Sequence, residues 1–390
     1  MAVKLRELYE SVKKFDIELL AGSKGLDNIV RWVHMVESIS LSVFLEGHEV
    51  AFTTGVGINE DEDLLELVMH THVNNASGMV INIGPHIKSI PDDVIKFCND
   101  NDFPLFQVPW NIYMAEIMRE FTYKITVSDI MNMELSNAVK NAIFFHDQES
   151  LYVPHFERHA FQAHWSYCLA VIEVIEKKNK KIITSKKRKK ILKCIENYST
   201  DINKRTFTFE LDKRFVIVFA KYTNEKIEEI VDKIKKKCEV LLSEKEEMYL
   251  CIGYSAKNIK CIGKSYQKAL NVLKLQKKKN NYNEVTSYKN LGLYKLLLSL
   301  EDDEIIEEYY KENLESLMKF DDLNDTDYVD VLRCYLEFNG SVKEVAARLF
   351  YHRNTINYKI KKIEEILECN LSELEIRLKL IVAFMLLDIR

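Results

Sequence analysis

Long apolar runs are missing from this chain: the longest is LIVAFMLL, Leu380 to Leu387. A membrane-spanning helix needs about 18 apolar residues. The opening MAVKLRELYESVKKF has no apolar stretch of the kind that directs secretion, so the sequence predicts a cytoplasmic protein with no membrane partner. Paired cysteines are missing too. Cys98, Cys168, Cys194, Cys238, Cys251, Cys261, Cys334 and Cys369 are scattered without a CxxC. That spacing fits reduced thiols and speaks against a disulfide framework or a thiolate zinc site. No P-loop, no GxSxG elbow and no cysteine nucleophile with an identifiable histidine partner occurs. An enzymatic reading therefore has no residues to stand on, and no cofactor is expected.

Only 11 Gly and 5 Pro occur, in a chain that is 47% apolar and 29% charged. This is the composition of an ordinary folded protein rather than a disordered or fibrous one. At about 150 residues per domain, 390 residues suggest two or three domains. The net charge is −5, so any nucleic-acid surface has to be a local patch.

From about residue 25 to 127, short apolar runs (IVRWVHMVE, EVAFTTG, GMVINIG, PLFQVP) alternate with helical segments at about Asp61–Asn75 and Asp92–Asn101 and one starting near Asn111. Apolar strands separated by helices predict a parallel α/β domain with both sheet faces covered. The last helix is expected to continue, with breaks, toward Pro154 as a connector. A second segment reads βαββαβα: YCLAVIEVI, a helix over about Ile183–Tyr198, TFTFEL, RFVIVFA, a helix over Glu225–Leu242, MYLCIGYS, and a helix over Gly263–Gln276. That order predicts a ferredoxin-like α+β sheet. Beyond Asn283 the sequence reads as helical throughout.

The last 64 residues carry the strongest chemical signal. A helix over about Tyr328–Phe338 ends at Asn339-Gly340, a suitable left-handed cap. Ser341 opens S-V-K-E, a candidate capping box with Glu344. A short helix with Val342, Val345, Ala346 and Leu349 facing inward follows, and Ala346 and Ala347 would let a neighbour approach closely. After the turn Phe350-Tyr351-His352, Ile356, Ile360 and Ile363 form one apolar stripe. These are the parts of a helix-turn-helix. Arg353, Asn354 and Asn357 suit base edges, and Lys359, Lys361 and Lys362 suit phosphates. His352, Thr355 and Tyr358 complete the candidate DNA-binding set. From Ser341 to Lys362 six Lys or Arg face one acid, Glu344, a local excess in a negative chain.

These residues resemble a known family. SVKEVAARLFYHRNTINYKIKKIEEILECNL and the following EIRLKLIVAFML resemble the C-terminal helix-turn-helix of the PucR (purine-catabolism regulator) family and the related sugar-diacid regulators. LLAGSKGLDNIVRWVHMVE, EVAFTTGVGI and FPLFQVPW resemble that family's N-terminal sensor domain. GYSAKNIKCIGKSYQKALNVLKL and VTSYKNLGLYKLLLSL are similar to its degenerate cyclase-like middle domain. A working cyclase would need a Gly-Gly turn flanked by acids, and the chain has no Gly-Gly dipeptide.

The resemblance implies five segments: a sensor domain over 1–127, a helical connector over 128–165, a cyclase-like domain over 166–282, a helical linker over 283–326 and a helix-turn-helix domain over 327–390. The expected fold class is thus multidomain: parallel α/β, then ferredoxin-like α+β, then all-α. Ligands of open parallel sheets bind beyond the carboxyl ends of the strands, here Thr53-Thr54-Gly55, Gly84-Pro85-His86 and Pro109-Trp110. The candidate effector residues are Arg31, His34, Glu37, Thr53, Thr54, Gly55, Gly84, His86 and Trp110, and the family name points to purine-breakdown metabolites.

Two further signals are set aside. His155 and His159, like His70 and His72, lack further ligands for a metal. The basic run Glu176–Lys190 reads as a solvated loop and helix start. The reading is then a regulator that senses a small molecule and binds double-stranded DNA as a homodimer. Its rival is a metabolite-binding signalling protein whose last helices make protein contacts.

Overall fold

The structure, a computed structural model, describes residues 3–58, 61–178, 180–199, 205–282, 284–300 and 302–389, with residues 61–63 described by their backbone alone. The chain divides into two compact units. One comprises Met1–Leu169, Ile175–Glu246 and Ser255–Lys264, the other Ala170–Val174, Glu247–Tyr254 and Ser265–Arg390.

The chain opens with β1 (Val3–Lys4) and α1 (Leu5–Val12), then β2 (Glu18–Ala21), β3 (Ile29–Val30), β4 (Trp32–Met35), α2 (Ile39–Ser42) and β5 (Glu49–Thr53). α3 (Asp61–Val73), β6 (Gly78–Ile83), α4 (Asp92–Asp100) and β7 (Leu105–Pro109) follow. Five of these strands form a sheet in the order β2-β7-β6-β5-β4. β4 to β7 are parallel, as expected. β2 is an antiparallel edge on β7, with its register shifting between Leu19 and Ala21. This edge escaped the sequence reading because four residues with no clean alternation give little periodic signal.

Successive side chains of a strand point to opposite faces, and both faces of this sheet are covered. Val50, Phe52, Val80, Phe106 and Val108 pack with Leu5, Leu8, Ile117 and Phe121. Ala51, Met79, Ile81 and Leu105 pack on the other side with Leu64, Leu67, Val68, Val94 and Cys98.

α5 runs from Met114 to Phe144 as one helix of 31 residues, about 46 Å long at 1.5 Å per residue. The breaks expected along it do not occur, since the segment contains no Pro or Gly to remove a backbone bond. Its first half buries Met114, Ile117, Phe121 and Ile125, and its second half buries Leu135, Ala138, Val139 and Ala142. Position 127/128 therefore falls inside a continuous helix.

α6 (Val153–Arg158) leads to β8 (Tyr167–Glu176), α7 (Ser185–Ser199), β9 (Thr206–Leu211), β10 (Arg214–Ala220), α8 (Asn224–Glu239), β11 (Glu246–Ile252) and α9 (Ile262–Lys278), the βαββαβα order read from the sequence. β9 and β10 form an antiparallel hairpin closed by Asp212 and Lys213, both at positive φ, as a twist-matched two-residue turn requires. The strand order in this sheet is β12-β11-β8-β10-β9. The added strand, β12 (Val285–Ser287), runs parallel to β11 and corrects the expectation that strands end at Asn283. Three residues are too few to show a period, and Asn283 itself lies outside the described residues.

α10 (Tyr294–Leu297), α11 (Asp303–Asn324), α12 (Tyr328–Glu337), α13 (Val342–Leu349), α14 (Arg353–Leu367) and α15 (Leu374–Ile389) complete the chain. Leu314, Leu317, Val331, Leu332, Val345, Ile356, Ile363 and Ala383 share one core. Asp388 on α15 accepts from Tyr294 Oη at 2.6 Å and Arg333 Nη1 at 2.8 Å. Burial pushes this carboxyl up, but those bonds outweigh it and hold its pKa below the ordinary value. Among the described residues no helix is long and apolar enough to cross a membrane.

Candidate nucleic-acid interface

The C-terminal site is assembled from α12, α13 and α14. Asp321, near the end of α11, accepts the backbone N–H groups of Tyr328 and Val329 at 3.0 and 2.8 Å and so caps α12 from outside it. Sequence reading missed this cap because it sits seven residues ahead of its first target.

Ser341 precedes α13, but its side chain makes no capping bond. The box expected with Glu344 does not form because the Ser341 N–H already donates to Phe338 O at 2.9 Å. Val345 and Ala346 are buried, with Val342 and Leu349 packed beside them. Ala347 is exposed, so of the two alanines Ala346 alone serves the close approach.

Phe350 ends α13 in the left-handed region at φ 57°, and its N–H and that of Tyr351 both donate to Ala346 O. His352 then starts α14, its Nδ1 accepting the Asn354 N–H at 3.3 Å. The turn is thus the three residues expected. Ile356, Ile360 and Ile363 are buried as expected. A fully buried Ile stabilises by about 1.5–3 kcal/mol, so this stripe fixes which face of α14 points outward.

On that outward face His352, Arg353, Asn354, Thr355, Asn357, Tyr358 and Lys361 are exposed. Arg353 and Lys361 make no ion pair among the described residues, and Lys362 is paired with Glu365 one turn on. Lys359 differs. Its side chain is 13% exposed, its ammonium pairs with Asp327 and it lies 4.1 Å from the centroid of the Tyr351 ring. Tyr351 Oη donates to the same Asp327 carboxylate at 2.8 Å. Lys359 therefore fastens the turn and α14 to the start of α12, which corrects its assignment to phosphate contact. Its position was legible: residue 359 lies three after Ile356 and four before Ile363, on the flank of the buried stripe.

The candidate effector residues fall into three places. Glu37 accepts from Thr53 Oγ1 at 3.0 Å, Thr54 Oγ1 at 2.9 Å, Thr54 N at 3.1 Å and Gly55 N at 3.2 Å. This brings Glu37, Thr53, Thr54 and Gly55 together as a clamp on their own loop, with the hydroxyls already donated. Gly55 sits at φ 79°, and a Cβ there would meet Ile87 at 2.5 Å. At Gly84 a Cβ would meet the Trp110 ring at 2.3 Å, so the indole lies on the glycine backbone. His86 approaches that ring edge-on at 6.1 Å between centroids. His34 is half-buried on β4. Arg31 is not with the others: it precedes β4, whereas Glu37 follows it. Arg31 pairs with Glu196 beside a cavity of about 70 Å³ that Asp129, Asn132, Ser199 and Thr206 also line.

Two of the histidines set aside earlier have partners that explain them. His159 Nε2 is 2.6 Å from Glu134 Oε2, and His72 packs edge-on against Phe97 and Phe103.

The C-terminal geometry defines a helix-turn-helix protein that carries mixed α/β regions ahead of the motif. Residues 8–125 match the Purine catabolism regulatory protein-like family, residues 155–275 a GGDEF-like domain, and residues 328–386 the PucR C-terminal helix-turn-helix domain. Both ends of the chain thus match PucR-type domains. The chain is similar to the proline-responsive transcriptional activator PutR of Bacillus subtilis (34% identical over 36% of this chain and 34% of that protein). It is also similar to the DNA-binding transcriptional activator AdeR of the same organism (28% identical over 32% of this chain and 30% of that protein). The matched region thus spans about a third of the length of each of these relatives. Among solved structures, a regulator of polyketide synthase expression from Bifidobacterium adolescentis matches 64% of this chain and 95% of its own, at 15% identity and a TM-score of 0.26.

Proposed function

We propose that this chain is a DNA-binding transcriptional regulator, not an enzyme, whose α14 reads the major groove. The observation that carries the proposal is the exposed stripe Arg353, Asn354, Asn357, Tyr358 and Lys361, set opposite three buried isoleucines within a helix-turn-helix. Arg353 and Asn354 lie in the first turn, suited to guanine and adenine edges. Thr355, Lys361 and Lys362 share the helix with these residues and suit the DNA backbone, and His352 holds the first turn as its cap. One such motif contacts few base pairs, so a homodimer on half-sites about one helical turn apart is expected. Both curated relatives named above are activators, which favours activation here.

The domain reading offered is a sensor over 1–127, a connector over 128–165, a ferredoxin-like, degenerate cyclase-like domain over 166–282, a linker over 283–326 and the DNA-binding domain over 327–390. The three family matches support it, although the GGDEF-like match begins at 155, inside the connector. The effector surface proposed is the carboxyl edge of the first sheet. The Glu37 clamp on Thr53, Thr54 and Gly55 gives it a rigid floor, and His34, His86 and the Gly84-backed Trp110 give it rings for a small flat metabolite.

The test of DNA binding is fluorescence anisotropy on promoter fragments at several salt concentrations. Specific binding should weaken steeply with salt, and Arg353→Ala with Asn354→Ala should cost about 1–3 kcal/mol at each base position read. Specific binding that survives both substitutions would refute these roles. For the effector, full-chain thermal shifts with purine catabolites, amino acids and sugar acids should pick out one class, since a ligand at 100 times its Kd adds about 2.7 kcal/mol. A hit that Trp110→Ala leaves unaltered would move the site elsewhere.

A further inference from the structure

The basic run beginning at Glu176 continues into α7, where the cations fall into two sets. Lys187 pairs with Glu246 and Arg188 with Glu210, so these two carry built-in counter-charges. Lys186, Lys189, Lys190 and Lys193 recur at i, i+3, i+4 and i+7, the spacing of a single helix face. None of the four has an ion pair among the described residues. α8 repeats the division: Lys226 pairs with Glu229, Lys235 with Glu239 and Lys236 with Asp232, while Lys233 and Lys237 instead lie 5.8 and 5.6 Å from the centroid of the Tyr198 ring.

Five of these six lysines without an ion pair among the described residues, all but Lys233, line one open cleft of about 1170 Å³, in which Glu46 is the single lining carboxylate. A merely solvated face would intersperse acids with its bases, as the rest of α8 does. A concavity walled by one sign of charge focuses its potential and concentrates counter-ions. Packing does not explain the lysines either, because Lys186, Lys189, Lys190 and Lys237 are exposed. His48 lines the same cleft. Burial, together with the nearby Arg31 and Lys193, holds its pKa below the ordinary value, in keeping with a positive local potential.

We propose that this cleft is a second ligand site, separate from α14, for a small polyanion bearing clustered phosphate groups. Ammonium groups on flexible stems bind phosphates as point charges, and five of them match a compact ligand carrying several charges. A concave site favours such a ligand over duplex DNA, whose backbone presents a convex rod. Tyr198 supplies an aromatic wall, and the exposed Val240 and Leu241 an apolar one, so the phosphates can belong to a nucleotide or be inorganic.

The experiment titrates the full chain calorimetrically, in low salt and without divalent metal, with inorganic triphosphate, adenosine triphosphate and guanosine triphosphate. Saturable binding of one molecule per chain is expected. Lys189→Gln, Lys193→Gln and Lys237→Gln should each weaken it by up to about fivefold, the range for partly exposed charge pairs. The matching Lys→Arg triple variant should keep binding, and Arg353→Gln with Lys361→Gln should leave it unchanged. Tighter binding of a nucleotide than of triphosphate would assign a nucleotide, and equal binding would assign the phosphates alone. Cys194 also lines the cleft and is half-buried, so its modification by a thiol reagent, with Cys194→Ser as the control, should slow when triphosphate is present. The proposal fails if nothing saturates, or if the triple Gln variant, with its melting curve unchanged, binds as well as the parent. It also fails if that variant loses DNA affinity but keeps triphosphate, which would make the cleft a DNA-backbone surface.

Discussion

Lys359→Ala and Lys361→Ala, two residues apart on α14, should fail in different ways. The Lys359 side chain is 13% exposed and that of its partner Asp327 is 34% exposed. Removing the ammonium leaves the carboxylate with Tyr351 as its remaining side-chain donor. Breaking a fully buried pair costs about 3–5 kcal/mol, whereas an exposed pair is worth about 0–1 kcal/mol. The intermediate burial here puts the loss near 2 kcal/mol, and it should be local to the contact between α12 and α14.

Amide hydrogen exchange on the full chain reads this loss directly. Peptides from both helices should exchange about thirtyfold faster, at 1.4 kcal/mol per factor of ten. Lys361 is exposed and without an ion pair among the described residues, so Lys361→Ala should leave exchange unchanged and lower the salt slope of DNA binding by about one. Burial pushes the Asp327 carboxyl up, but the bonds from Lys359 and Tyr351 outweigh it and hold it below the ordinary value. The pair's stabilisation is therefore present above about pH 4 and lost as pH falls through the folded pKa. Burial lowers Lys359, but the bond to Asp327 raises it further, to a net value above the ordinary one. The alkaline loss thus comes only as pH rises through that raised value, beyond about 10.4. Unchanged exchange together with a reduced salt slope in Lys359→Ala would refute this assignment and return the residue to the phosphate contacts.

Gly55→Ala should destabilise the first sheet's carboxyl edge by about 1–3 kcal/mol, measured by exchange in β5, because φ is 79° and the added Cβ meets Ile87. Ile363→Ala should cost the C-terminal core about 2–5 kcal/mol in the same measurement, since the side chain is fully buried. His48, with its pKa lowered chiefly by burial, takes up a proton less readily in the fold than in the unfolded chain. Stability should therefore fall as pH drops below about 6.5, and His48→Gln should flatten the melting temperature between pH 7.5 and 5.

What the sequence made legible was whatever repeats. The isoleucines of α14, the apolar strands β5 to β7 and the βαββαβα order each rest on several residues obeying one period. What stayed hidden depends on single partners distant in the chain. Asp321 capping α12, Asp388 gathering Tyr294 and Arg333, and Glu37 holding Thr53 and Thr54 are pairings that no local pattern encodes. The Ser341 box failed for a related reason: its pattern was present, but the tight Phe338 to Ser341 turn had already taken the N–H it needed. Lys359 is the instructive case, because counting it as charge hid its place on the buried flank of its helix.

The same distinction, whether a cation is paired, sorts the basic residues of the whole chain better than their number does. With 55 Lys and Arg against 60 Asp and Glu, most cations can find an acid, and such pairs contribute little to an external field. A cation left unpaired on an ordered helix contributes its full charge, and it keeps that position against self-repulsion only where something else favours it. Among the described residues, two surfaces proposed above to bind anions gather such cations: the outer face of α14 at Arg353 and Lys361, and the cleft between α7 and α8. Both should bind anions in a salt-dependent way, but they differ in shape. An exposed helix face meets an extended backbone and loses affinity by about one slope unit per lysine. The cleft closes around a compact ligand, so it should saturate at one molecule per chain and be competed by triphosphate but not by excess duplex. Duplex that displaced triphosphate in proportion to its phosphate content would make the two surfaces equivalent and defeat this division.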